Sequence, residues 1–114
     1  MKPKTLALGR LPVGAMNRTE AAYAAHLELL RAAGEVAWWR FEGLKLRLAD
    51  KTFYTPDFNV MLTGGIMEMR EVKGFWHDDA RVKIKVAAEQ YPFRFIAVTA
   101  RAKSDGGGWS VEEF

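Results

Sequence analysis

The feature that most limits how this chain can fold is Thr63-Gly64-Gly65, set between two aliphatic-rich runs, because a glycine turn there makes a β-hairpin and fixes its register. A three-residue loop with a glycine at the position needing positive φ is a common hairpin connection. Such a loop makes Leu62 face Ile66 and, counting outward, Asp57 face Glu71. A two-residue loop on Gly64-Gly65 would instead shift the register by one and set Val72 across from Asp57.

Strand alternation then sorts the hairpin. Asp57, Asn59 and Met61 share a face with Met67, Met69, Glu71 and Lys73, while Phe58, Val60, Leu62, Ile66 and Val72 take the other. Directly opposed residues hold their Cβ atoms about 4.5–5.5 Å apart, and like charges there repel unless something neutralises them. A divalent cation between Asp57 and Glu71 would do so. With oxygen ligands alone, Mg²⁺ or Mn²⁺ suits the pair better than zinc, and the Val72 backbone carbonyl is a further candidate ligand. Lys73, two residues on, is placed to position a water or to offset charge developing on a phosphate.

Length and composition bound the rest. At 114 residues the chain suits one domain with its own core. The lack of cysteine removes disulfides, thiolate zinc sites and cysteine nucleophiles, and fits a reducing cytoplasm. Short apolar runs and a start at Met1-Lys2-Pro3-Lys4 give neither a membrane span nor a signal peptide, so a cytoplasmic protein is expected. A net charge of +3 favours anionic partners, nucleic acid among them. Residues 1–15, with Lys2, Lys4, Arg10 and no acid, read as a flexible basic arm ahead of a domain over residues 16–114.

Asn17-Arg18-Thr19-Glu20 opens a helix over about residues 18–33 that Gly34 closes. Four strand-like segments follow, Val36 to Glu42, Leu44 to Asp50, Thr52 to Leu62 and Ile66 to Gly74, which together read as an antiparallel meander. Asp78 or Asp79 caps a second helix running to about Tyr91, with Ala80, Ile84, Ala87, Ala88 and Tyr91 inward and Pro92 stopping it. Phe95 to Thr99 returns as a strand parallel to the Glu71 strand, and Trp109 to Phe114 adds a last short one after Gly106-Gly107-Gly108. The expected fold is α/β, a mixed sheet of meander plus parallel crossover strand, flanked by two helices, with the site where the first helix meets the Asp57–Glu71 hairpin.

Other residues invite two readings. Glu20 shares the inner stripe of its helix with Tyr23, Leu27 and Leu30, so it either completes a capping box with Asn17 or aims a carboxylate at the site. Arg81, Lys83 and Lys85 sit on the second helix just past the Glu71 strand, and either contact phosphates or form a solvated face; Lys2, Lys4 and Arg10 join them as candidate DNA contacts. His77 is a candidate proton donor, though a loop histidine is more often idle. Trp38-Trp39-Arg40-Phe41 is a candidate base-stacking run, with at least one of the tryptophans expected in the core, and His26, Met61, Met67 and Met69 are assigned to packing.

In their order, Glu20, Pro56-Asp57 and Glu71-Val72-Lys73 resemble the PD-(D/E)xK nuclease superfamily, in its small phage-type endonuclease and junction-resolvase-like branch. The likeness takes in Asn17-Arg18-Thr19-Glu20-Ala21, Tyr54-Thr55-Pro56-Asp57-Phe58, Glu71-Val72-Lys73-Gly74 and Glu89-Gln90-Tyr91-Pro92, and covers roughly residues 16–100. It implies a restriction-endonuclease-like core and Mg²⁺-dependent hydrolysis of DNA phosphodiesters, with branched DNA such as a Holliday junction as a candidate substrate. It further implies Asp57 and Glu71 as metal ligands, Glu20 as an auxiliary ligand and Lys73 as activator of the nucleophile. A homodimer, and a bacterial host cell if the chain is phage-encoded, go with the resemblance. The rival expectations are a non-catalytic nucleic-acid-binding or assembly module of the same fold, and an RNA-processing nuclease.

Overall fold

A computed structural model describes residues 14–74 and 78–114. The arm cations Lys2, Lys4 and Arg10, and His77, lie outside the described residues. Helix α1 (Arg18–Ala32) begins with a complete capping box: the Asn17 side chain accepts from the Glu20 N–H, and the Glu20 carboxylate accepts from the Asn17 N–H, each at 2.8 Å. It ends where Gly34 takes φ 83, a conformation costly for a residue with a Cβ.

Five strands form the main sheet. These are β1 (Val36–Phe41), β4 (Phe58–Leu62), β5 (Met67–Lys73), β6 (Arg94–Ala100) and β7 (Trp109–Glu113), in spatial order β1-β4-β5-β6-β7. Only β5 and β6 run parallel, joined by helix α2 (Asp78–Gln90). The hairpin register is that of the three-residue turn: the Leu62 N–H donates to the Ile66 carbonyl at 2.9 Å, and Phe58 pairs with Arg70, one step inside Asp57 and Glu71. Gly65 supplies the positive φ, 94°.

The expected meander is corrected in one place. Thr52 to Leu62 is two strands, not one, and the first, β3 (Thr52–Tyr54), pairs with β2 (Leu46–Ala49) as a separate two-stranded ribbon. Pro56 has no N–H to give a ladder, so the chain leaves the sheet over Thr55-Pro56-Asp57 and re-enters it at Phe58. β1 therefore pairs with β4 rather than with its sequence neighbour. Gly43 lies at this junction, where an added Cβ would come within 2.6 Å of the buried Asn59 Oδ1.

The two faces of the sheet carry separate cores. Phe58, Val60, Val72, Ile96 and Val98 pack under Tyr23 and Leu27 of α1. On the other face Met69 and Phe95 pack with Ile84 and Ala87 of α2 and with Leu46, Leu48 and Tyr54 of the ribbon. Each fully buried aliphatic side chain contributes about 1.5–3 kcal/mol. Glu71 and Lys73 alternate with Val72, so they stand on the α2 and ribbon side; the expectation that the first helix roofs the site is corrected accordingly.

Candidate active site

Asp57 and Glu71 meet at the end of β5, where a strand of a parallel pair presents its carboxyl end. The bend after Pro56 holds Asp57 from two sides: its carbonyl accepts from the Glu42 N–H and its Oδ2 accepts from the Val72 N–H, both at 2.8 Å. Burial pushes the Asp57 carboxyl well above the ordinary carboxylate range, the Glu71 charge pushes it further, and the Val72 hydrogen bond only partly offsets them. Glu71 is itself buried. Its Oε1 accepts from the Tyr54 hydroxyl at 2.7 Å, and its Oε2 lies 3.2 Å from the Lys73 ammonium. Burial, then the Glu71 charge, raise the Tyr54 phenol, so Tyr54 remains a donor.

A cavity of about 310 Å³ opens beside this group. The buried Tyr54 and Glu71 line it, together with Thr55, Phe53, Asp79 and Lys83, which are exposed. The Lys83 ammonium donates to the Phe53 carbonyl at 3.3 Å.

The remaining candidates are distributed as follows. Glu20 is engaged in the α1 capping box, yet its charge still reaches Asp57 and raises it. Among the described residues no three His, Cys, Asp or Glu side chains gather as a metal-holding group. Val72 meets the site through its N–H, by way of Asp57. Arg81 is occupied by structure, with both terminal nitrogens on Glu112 of β7. Lys85 is exposed on α2. Trp39 packs against Phe58 and donates to Glu28 at 2.6 Å, whereas Trp38 is exposed. His26 packs between Tyr23 and Trp109, and Met69 is buried.

Two features escaped the sequence reading. Tyr54 is one. In an unbroken strand it shares parity with Phe58 and points away from Glu71; the break at Pro56 reverses that, and only the proline itself hints at it. The other is a partly buried network on the α1 face, centred on the buried Glu68, which accepts from Arg70 and from the exposed Arg94, each at 3.0 Å, while Arg70 donates to the Tyr23 hydroxyl at 2.7 Å. The alternation that exposed Glu71 to inspection placed Glu68 among apolar residues, which was the available signal.

Asp57 and Glu71 are the oxygen donors that could hold a hard cation here, with the Lys73 ammonium beside them rather than among the ligands. Mg²⁺ is commonly bound through one or two carboxylates, with waters and substrate phosphate completing its shell, so the Asp57–Glu71 pair suffices without Glu20. No helix among the described residues is long and apolar enough to cross a membrane. Compared with known proteins, the chain matches no family model, no curated protein and no solved structure.

Proposed function

We propose that this protein is a Mg²⁺-dependent endonuclease that hydrolyses DNA phosphodiester bonds, with a restriction-endonuclease-like core and a preference for branched DNA. The observation that carries the reading is the crowding of the half-buried Asp57 and the buried Glu71 beside Lys73 and an open cavity. Burying two carboxylates with one cation is costly unless a further positive charge arrives.

Asp57 and Glu71 would hold the metal, which when bound supplies Lewis-acid polarisation of the phosphate and a more acidic water. The protein's own groups do the rest. The Val72 N–H and the Glu42 N–H fix the Asp57 carboxylate and its backbone. Tyr54 fixes the orientation of Glu71 by donating to Oε1. Lys73 sits beside Oε2, where its ammonium orients the attacking water and offsets charge growing on the phosphate. Lys83, which lines the cavity, meets the neighbouring phosphate.

The test is cleavage of a labelled four-way junction and its matched linear duplex, with Mg²⁺ and with chelator, by wild type and Asp57→Ala. Chelator-sensitive cutting that Asp57→Ala loses, faster on the junction, is expected. The engagement of Glu20 in its helix cap favours a second reading, a nucleic-acid-binding module without catalysis. No cutting of either DNA, with binding equal in both proteins, would select it.

A further inference from the structure

The β2–β3 ribbon has two unlike sides. Leu46, Leu48 and Tyr54 pack inward on α2, while Lys45, Arg47 and Phe53 are exposed, with Lys51 exposed at the turn. Three hydrogen bonds to ribbon carbonyls hold this arrangement, two from α2 and one from the residue after it: Lys83 to Phe53 at 3.3 Å, Gln90 to Leu48 at 3.1 Å and the Tyr91 hydroxyl to Arg47 at 2.6 Å. The basic side is thereby kept toward solvent.

Off the ribbon, some cations are paired with carboxylates, while Arg18, Arg40, Lys85, Arg101 and Lys103 are scattered singly and, among the described residues, form no ion pair. Arg31, Arg70, Arg81 and Arg94 each sit on a carboxylate. Lys45, Arg47, Lys51 and Lys83 form no ion pair among the described residues, although Asp50 lies in the same turn. Lys45 lies over the Phe53 ring, 4.5 Å from its centroid. That ring face is therefore covered and offers no platform for an unpaired base. Lys51 holds φ 53, so a cation occupies the tip in a conformation that suits glycine better.

The ribbon starts at the site. Thr55 lines both the Glu71 cavity and a second hollow of about 450 Å³ whose lining includes Phe41, Glu42, Gly43, Leu44 and Lys45. From there to the turn is about five strand residues, roughly 16 Å. Measured along a duplex axis, at roughly 3.4 Å of rise per nucleotide, that distance is about five base pairs, so the ribbon reaches a few phosphates of the arm.

Building on the nuclease reading above, we infer that the β2–β3 ribbon is a track for the phosphate backbone of the duplex arm flanking the scissile bond. Lys45, Arg47 and Lys51 contact phosphates along that arm, and Lys83 the one nearest the cut. Backbone contacts of this kind set position without reading sequence. The unpaired cations favour a phosphate backbone, and the Phe53 ring face covered by Lys45 favours a duplex over a single strand.

The test is equilibrium binding of a labelled duplex across a salt series, with chelator present so that no cutting is read. Wild type is compared with the triple variant Lys45→Ala/Arg47→Ala/Lys51→Ala and with Arg47→Gln alone, each checked for fold by circular dichroism. The triple variant should bind at least about tenfold more weakly, and its slope of log affinity against log salt should fall by about 2–3; Arg47→Gln should lose about 1. Lys103→Ala, an exposed cation away from the ribbon, should change neither. Unchanged affinity and slope in the triple variant would overturn the inference, as would a wild type with no salt-dependent duplex binding. Tighter binding to a matched RNA duplex would overturn the assignment to DNA. Because no cleavage is scored, an inactive wild type would sink the nuclease reading and leave this measurement intact.

Discussion

Glu68 and Glu71 lie three residues apart on β5, on opposite faces of the sheet, and differ in their supply of cations. Glu68 accepts from Arg70 and Arg94, and Arg94 also meets Glu113, so two acids face two arginines. Glu71 shares Lys73 with Asp57, and the charge of Glu20 adds to the excess. A network of the first kind balances its own charges and has nothing left to bind, and removing one member strands a buried charge. The second kind is short of positive charge beside a cavity, which is the condition under which a metal or a catalytic proton is useful.

Breaking the second site should cost activity and spare the fold. Asp57→Ala and Lys73→Ala are each expected to lower cleavage by about 10³-fold or more, with circular dichroism and DNA binding retained; wild-type turnover in either would remove that residue from the mechanism. Breaking the first site should do the reverse. Glu68→Ala leaves Arg70 and Arg94 without their buried acceptor and should lower unfolding free energy by about 3–5 kcal/mol in urea titrations, while cleavage by the folded fraction persists.

A metal should separate the sites further. At a hundred times its dissociation constant, Mg²⁺ should stabilise wild type by about 2.7 kcal/mol, and Asp57→Ala should lose that response in thermal melts. Tyr54→Phe deletes one hydrogen bond to a buried carboxylate and should cost about 2 kcal/mol in stability. It should also weaken Mg²⁺ binding measured by calorimetry, a change that packing loss alone would not produce.

The two sites differ in their response to pH as well. The Asp57 carboxyl is raised by burial and by Glu71 from 3.8 to about 8, so across that window the folded form keeps a proton that the unfolded form has released. Stability of the metal-free protein therefore falls as pH rises through the window. Asp57→Asn should flatten the slope of melting temperature against pH; an unchanged slope would assign it to another group.

Local chemistry made much of this legible. Thr63-Gly64-Gly65 set the hairpin register, and with it the meeting of Asp57 and Glu71, because turn geometry and strand parity are short-range constraints. Asn17 and Glu20 announced the helix start for the same reason. Parity also explains the failures. Thr52 to Leu62 looks like one run of strand formers, and nothing local says whether a proline ends a strand or sits at its edge.

The sequence by itself determined the elements, the hairpin register and the pairing of two acids near one lysine, since each depends on residues close along the chain. The tertiary structure alone decided which helix faces the site, that Tyr54 reaches Glu71, that Arg81 belongs to Glu112, and that Glu68 is neutralised while Glu71 is not. Those outcomes depend on which strand lies beside β4. Pro56 releases the chain there, and the long-range packing of two cores sends the ribbon to the α2 face.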